Sequence, residues 1–303
     1  MVLTEANLDA AQTFIWRNAR VIDRHRFAYL FEGGDAQPVI DALQAYRNAD
    51  GGFGHALEPD GRGPDSQPLH SYVALQLLDE IGRFADPLVA ELLDYFVSVT
   101  TPDGGLPSDI PTEREYPHAP WWSVGDGTPR GSLLPTAGIV GLLLKNEMRH
   151  PWVDAAAAFC WDAVRAIEVT HPYEVEFAVG FLDHALDRHE AERQAARLGE
   201  LVQEQRLVVL DPETATPDMT PTGYSPGEYH FSLNYATRPT SLARRWFADG
   251  VIEHNLDLRE QAQLDDGGWM FNWGQWNEAA VFEWRGSVTI ETLAMLRAYG
   301  RIG

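Results

Sequence analysis

Apolar residues recur along this chain with a helical period almost throughout. After Arg188, the residues Ala191, Ala195, Leu198 and Val202 form one stripe while Glu192, Arg193, Glu200 and Glu204 face away. That is the pattern of an amphipathic helix laid on a core. Other stretches are apolar all round, among them Val73, Ala74, Leu75, Leu77, Leu78 and Ile81, and again Ile139, Val140, Leu142, Leu143 and Leu144. A helix of that kind is buried on every side. Alternating β-branched runs are missing except for the short Leu207 to Leu210, so strands are not expected. Prolines stand in the first turn of several helices, where a missing N–H costs nothing: Pro38 after Asp35, Pro87 after Asp86, Pro151 after His150 and Pro172 after His171. The pattern predicts twelve helices, near 6–18, 21–31, 36–48, 66–82, 87–99, 132–148, 151–168, 172–187, 189–206, 238–248, 250–262 and 286–300.

After the second helix the even-numbered members tend to be apolar all round and the odd-numbered ones amphipathic, which suggests an inner ring of helices inside an outer ring. Loop lengths agree. Joins from an even helix to the next odd one are very short, at Arg83–Asp86, Arg149–His150, Arg188 and Asp249, whereas four joins of the opposite parity are long, at 49–65, 100–131, 207–237 and 263–285. In antiparallel helices all joins of one parity emerge at the same end, so the long loops are expected to crowd one mouth. Long unstructured loops in compact domains are usually functional.

Three stretches share one punctuation: NADGGFG at Asn48–Gly54, TPDGGLP at Thr101–Pro107 and QLDDGGWMF at Gln263–Phe271. Each precedes, after a loop, a strongly apolar helix, so the repeated unit is helix, Gly-Gly turn, long loop, helix. The glycines serve a chain that leaves a helix abruptly, through a conformation in which a Cβ would clash.

Composition narrows the function. A net charge of −22 argues against nucleic acid, whose phosphates need clustered Lys and Arg, and makes an unassisted diphosphate site less comfortable. The lone cysteine, Cys160, excludes an internal disulfide and a multi-cysteine zinc site, and its setting in AAAAFCWDAV reads as helix core. No stretch is long and apolar enough for a membrane span and the first residues lack a signal pattern, so a soluble, cytoplasmic protein is expected.

The Gly-Gly-aromatic turns, with Gln263 two residues before Asp265 in the last copy, resemble the repeats of terpenoid cyclases and protein prenyltransferase β subunits. The resemblance is clearest at 42–82 and 250–300 and weaker at 92–148. It implies an all-α fold, an (α/α)6 toroid of about twelve antiparallel helices forming a single domain over 1–303, and an isoprenoid-type ligand in the central cavity. The chain departs from the family's chemistry: the Asp-x-Asp-Asp acid motif, the aspartate-rich Asp-Asp-x-x-Asp segment and the zinc-binding Asp-x-Cys have no counterpart. His70 sits where that family places a zinc-ligand histidine, yet a single ligand does not make a metal site, and no cofactor is indicated.

Candidate chemistry lies in and beside the long loops. The first offers His55, Glu58, Asp60 and Asp65 ahead of His70; the second His118, Trp121, Trp122 and Asp126; the third Glu228, His230, Tyr235 and Arg238; the fourth Trp273, Trp276, Glu278, Glu283 and Arg285. Glu174 and Glu176 stand near the start of an apolar helix, where a carboxylate must be paired, protonated or used. Asp60, His70 and Glu176 are the candidate catalytic groups. His118, Trp121, Trp122, His230, Tyr235, Trp273, Trp276, Glu283 and Arg285 are the candidate ligand contacts. Three readings stay open: an isoprenoid site in which Glu176 or Asp60 protonates an olefin between aromatic faces, a saccharide cleft with paired carboxylates as in glycoside hydrolases or polysaccharide lyases built on such toroids, and a non-enzymatic scaffold.

Overall fold

The computed structural model describes residues 4–122 and 128–302; Asp126 lies outside them. Among the described residues there are twelve α-helices and no strand: α1 (Glu5–Asn18), α2 (Val21–Phe31), α3 (Gln37–Leu43), α4 (Pro68–Glu80), α5 (Pro87–Val99), α6 (Leu133–Lys145), α7 (Pro151–Ala166), α8 (Pro172–Leu182), α9 (Arg188–Glu204), α10 (Ser232–Tyr235), α11 (Asp249–Gln261) and α12 (Glu278–Ala298). None is long and apolar enough to cross a membrane. The chain divides into two compact units, one of Met1–Gly33, Glu168–Val179 and Glu192–Gly303, the other of Gly34–Ile167 and Gly180–Ala191.

In the second of these units α4 packs against α5 and α6, and α6 against α7. Helix α6 buries Ala137, Gly138, Ile139, Val140, Gly141 and Leu143, and so has almost no solvent face. Helix α5, by contrast, buries the stripe Leu88, Val89, Leu92, Tyr95 and Phe96. Its start is fixed by Asp86, whose carboxylate accepts the Leu88 N–H at 3.1 Å. In the first unit α12 packs against α1, α2 and α11 over a core that includes Phe14, Ile15, Trp269, Ile290 and Leu293. Asp23 is wholly buried there between Arg20 Nε at 2.8 Å and Arg26 Nη1 at 3.1 Å. Burial alone would raise its pKa; the two guanidinium groups outweigh burial and hold it below the ordinary carboxylate value.

The three Gly-Gly turns share one hydrogen-bond scheme. Gly51, Gly104 and Gly267 have φ of 85°, 92° and 92°, the left-handed region that favours glycine. The following glycine N–H returns to the aspartate, Gly52 to Asp50 at 3.0 Å, Gly105 to Asp103 at 3.3 Å and Gly268 to Asp266 at 3.1 Å. The next apolar residue is fully buried and donates its N–H to a hydroxyl on the helix that follows: Phe53 to Ser71 at 3.0 Å, Leu106 to Thr136 at 2.8 Å and Trp269 to Thr289 at 3.0 Å. A Cβ on the second glycine would strike an aromatic ring in each copy, Tyr95 on α5, Phe159 on α7 and Phe14 on α1.

Several boundaries differ from the sequence pattern: α3 ends at Leu43 where 48 is expected and α8 at Leu182 where 187 is expected, and two differences are larger in consequence. The expected helix at 238–248 is instead a 3-10 turn at Leu242–Trp246 entered from an extended Ser241 (φ −63°, ψ 143°), and the single turn α10 lies before it, inside the expected third loop. Helix α12 begins eight residues earlier than the expected 286 because the Asn277 side chain caps it, accepting Ala279 N–H at 2.8 Å. Glu283 and Arg285 therefore stand on a helix, not in the fourth loop. The apolar run Leu207 to Leu210 forms only an isolated parallel bridge, Val209 to Phe231.

Candidate functional site

That bridge sets the site in the first unit. The Val209 N–H donates to the His230 carbonyl at 2.8 Å, and the Tyr235 hydroxyl donates to the Leu207 carbonyl at 2.7 Å, so the residues after α9 pin both His230 and α10. Opposite them is the first turn of α8, where Tyr173 and Glu176, three residues apart, share a face. His230 Nδ1 meets Glu176 Oε1 at 2.9 Å; the imidazole side chain is 2% exposed and the carboxylate 22%. A carboxylate accepts only, so the Nδ1 proton lies between them, and Nε2 is the ring nitrogen left to other partners. Nε2 is buried and has no hydrogen-bond partner.

Aromatic rings enclose this imidazole. Tyr173 and Tyr224 are near parallel, 16° apart with centroids at 5.7 Å, and His230 stands edge-on to both, at 86° and 4.9 Å from Tyr173 and at 85° and 5.6 Å from Tyr224. Tyr235 lies 6.4 Å from His230 on a further side. The Tyr173 hydroxyl donates to Glu228 Oε1 at 2.9 Å, and Glu228 Oε2 accepts the Ser225 N–H at 3.1 Å. The Tyr224 hydroxyl bonds to His171 Nδ1 at 2.9 Å. Burial raises the pKa of all three phenols, and the negative charge of Glu176, joined by Glu228 at Tyr173 and Tyr224, adds to the rise; they stay protonated. His171 is shifted the other way, below the ordinary imidazole value, chiefly by burial and against the pull of Glu174 and Glu176.

The second unit assembles a different group. The first and second long loops are knitted together by an antiparallel bridge from Gly61 to His118 and by the Ala119 N–H donating to the Asp60 carbonyl at 2.8 Å. His70, fully buried on α4, accepts the Glu58 N–H through Nδ1 at 2.9 Å, and its ring lies 5.6 Å from that of Trp122. Asp60 accepts the Trp121 indole N–H at 3.0 Å, with Trp121 42% exposed and Trp122 buried. Glu113 is wholly buried beneath Gly63, whose N–H it accepts at 2.7 Å; burial lifts its pKa above the ordinary carboxylate value despite that bond.

Arg285 donates to Asp266 in the third Gly-Gly turn at 2.7 Å and lies 4.5 Å over the Phe14 ring. Trp273 stacks on Phe271 at 4.4 Å and meets Trp284 edge-on at 5.0 Å. Trp276 and Glu283 are half-buried. A groove of about 500 Å³ runs between α9 and the turn at Leu242–Trp246, floored by Ala195, Gly199, Leu242 and Trp246 and away from the imidazole centre. Asp211, Glu213 and His254 bring ligand atoms within 4.8 Å of one another and could hold a cation, although Asp211 also caps its own turn by accepting the Glu213 N–H at 3.0 Å. Cys160 is buried, with its thiol pKa pushed up by burial, so it is a packing residue.

Of the sequence candidates, His230, Tyr235 and Glu176 come together in one unit and Asp60, His70, His118, Trp121 and Trp122 in the other. Tyr173, Tyr224 and His171 were missed. Tyr173 could have been found, since its spacing from Glu176 puts both on one helix face; Tyr224 and His171 carry no local signal. No protein-family model and no curated protein matches the chain. The fold is similar to the crystal structure of a protein from Actinoplanes, which is 16% identical with a TM-score of 0.59 over 97% of this chain and 99% of that one, a likeness of fold alone.

Proposed function

We propose that the protein is an acid–base enzyme of the terpenoid cyclase-like class, with Glu176 and His230 as its proton-handling pair and an isoprenoid-type ligand against the tyrosine rings. The carrying observation is the buried imidazole with Nδ1 on a carboxylate and Nε2 unpartnered among three phenol rings. A carboxylate on one nitrogen fixes the tautomer and leaves the other nitrogen to the ligand, while the ring faces favour positive charge developing nearby. Native mass spectrometry of protein purified from its source tests this: a retained lipid that is lost in Glu176→Gln and His230→Ala fits. A retained glycan, or a lipid that both variants keep, overturns it.

A toroid is part of this proposal, supported by the turn that precedes α12. Its second glycine lies under Phe14 of α1 as Gly52 lies under Tyr95 of α5 and Gly105 under Phe159 of α7, so the first helix takes the place that follows the last. The saccharide reading keeps one supporting feature, the exposed Trp121 indole held by Asp60. Binding of a neutral oligosaccharide that Trp121→Ala abolishes would favour it.

A further inference from the structure

The groove beside α9 has an apolar floor and an acidic rim. Ala195, Gly199, Leu242 and Trp246 make the floor, and the Trp246 ring is seated so close over α9 that a Cβ at Gly199 would meet it at 2.7 Å. Along the rim Glu192, Ala196, Glu200 and Glu204 follow one another at four-residue spacing, so they form a single ridge of the helix with one small gap in it. Arg245 on the opposite wall is drawn to one end, where its Nη2 meets Glu192 Oε1 at 3.2 Å. Among the described residues neither Glu200 nor Glu204 forms an ion pair. That placement is unfavourable in the free protein. Glu204 ends α9, whose last turn has no basic residue, so its carboxylate faces the negative end of the helix dipole, and Glu200 one turn back adds like charge. A cation brought by a partner relieves both.

Length favours a segment of chain as the occupant. From Glu192 to Glu204 the helix rises about 18 Å, enough for three turns of a second helix laid alongside. Lys or Arg residues one turn apart on that helix would match Glu200 and Glu204, and the small residues at 195, 196 and 199 let it come close. A second copy of this chain is a poor occupant, since its 45 Asp and Glu against 23 Lys and Arg bring like charge to like. We infer that the groove docks a basic amphipathic helix of a partner protein, its apolar stripe on Leu242 and Trp246 and its cations on Glu200 and Glu204. This surface is independent of the ligand proposed for the imidazole centre.

The test titrates the whole protein into fluorescein-labelled helical peptides of about fourteen residues and reads anisotropy at physiological salt. One peptide carries a leucine stripe backed by lysines, the second has the same residues scrambled, and the third has glutamine for lysine. The striped basic peptide is expected to bind at least about tenfold more tightly than the scramble, no more than burial of one leucine supplies, and about fivefold more tightly than the glutamine peptide. Glu200→Gln with Glu204→Gln should weaken it about fivefold. Asp9→Asn with Asp94→Asn, an equal change of charge at exposed acids that do not line the groove, should leave it unchanged. Ala196→Trp fills the groove without altering charge and should abolish binding, with folding of every variant checked by circular dichroism. Equal binding of stripe and scramble, equal losses in the two charge pairs, undiminished binding by Ala196→Trp, or no binding of the striped peptide overturns the inference. So does a glutamine peptide that binds as tightly, which would make the partner an apolar one. A dimer in sedimentation that Ala196→Trp dissociates would make a second copy the occupant and overturn it as well.

Discussion

His70 and His230 are both buried, both bonded through Nδ1 and both beside an aromatic ring, yet their chemistry is opposite. His70 Nδ1 accepts a backbone N–H, so its proton is on Nε2, close to Trp122 and to Gly61, where a Cβ would come within 2.9 Å of that nitrogen. His230 Nδ1 donates to a carboxylate, and the basic nitrogen is left over. The first imidazole ties a loop to α4; the second leaves Nε2 without a hydrogen-bond partner. Burial and residue type do not distinguish them. The partner of one nitrogen does.

The largest effect is expected at His70. His70→Ala leaves a cavity and an unsatisfied Glu58 N–H and should cost about 3 kcal/mol or more in urea unfolding. His70→Asn places an acceptor near the Nδ1 position and should recover over half of that loss. If the alanine variant were nearly as stable as the parent, the loop-tying role would be wrong.

His230→Ala should cost less, about 1–2 kcal/mol, since only the bond to a partly exposed carboxylate is lost along with the ring packing. It should nevertheless remove ligand retention completely, which His70→Asn should not. Nitrogen NMR of labelled histidines checks the same contrast directly, with the proton expected on Nδ1 of His230 and on Nε2 of His70. The same tautomer at both positions would break the comparison.

The smallest effect concerns Asp266 and Arg285, a pair assigned here to the turn. The Arg285 hydrogen bond, opposed by partial burial and aided by the Gly268 N–H, holds the Asp266 carboxyl below its ordinary value. Its folded pKa being the lower, the stabilisation is complete above the unfolded value near pH 4 and is lost as pH falls through the folded one. Asp266 is 48% exposed, so the gain should stay below about 1 kcal/mol. Wild type and Asp266→Asn should differ in unfolding midpoint at neutral pH and converge in acid. A difference that grows in acid would reverse the assignment.

Much of the scaffold was legible because its signals are local. Pro87 behind Asp86 and the alanine-rich stretch before Cys160 mark their helices within a few residues, and three Asp-Gly-Gly turns announce a repeat. The expected tenth helix is absent because the Arg238 to Ala248 stretch has helical composition, while Pro239 stands in a turn and Ser241 is extended. Among the site residues, Glu176 stood out as a carboxylate on an apolar helix and His230 as a histidine in a long loop. Nothing connected them.

Helices, turns and the carboxylates of the long loops could be read along the chain, since they depend on residues one to four positions apart. Which histidine accepts and which donates through Nδ1 is set by partners brought together in the fold. Glu176 and His230 are 54 positions apart, Tyr173 and Glu228 are 55 apart, and no periodicity spans such distances. Packing of α8 against the loop pinned by Val209 sets the direction of one proton.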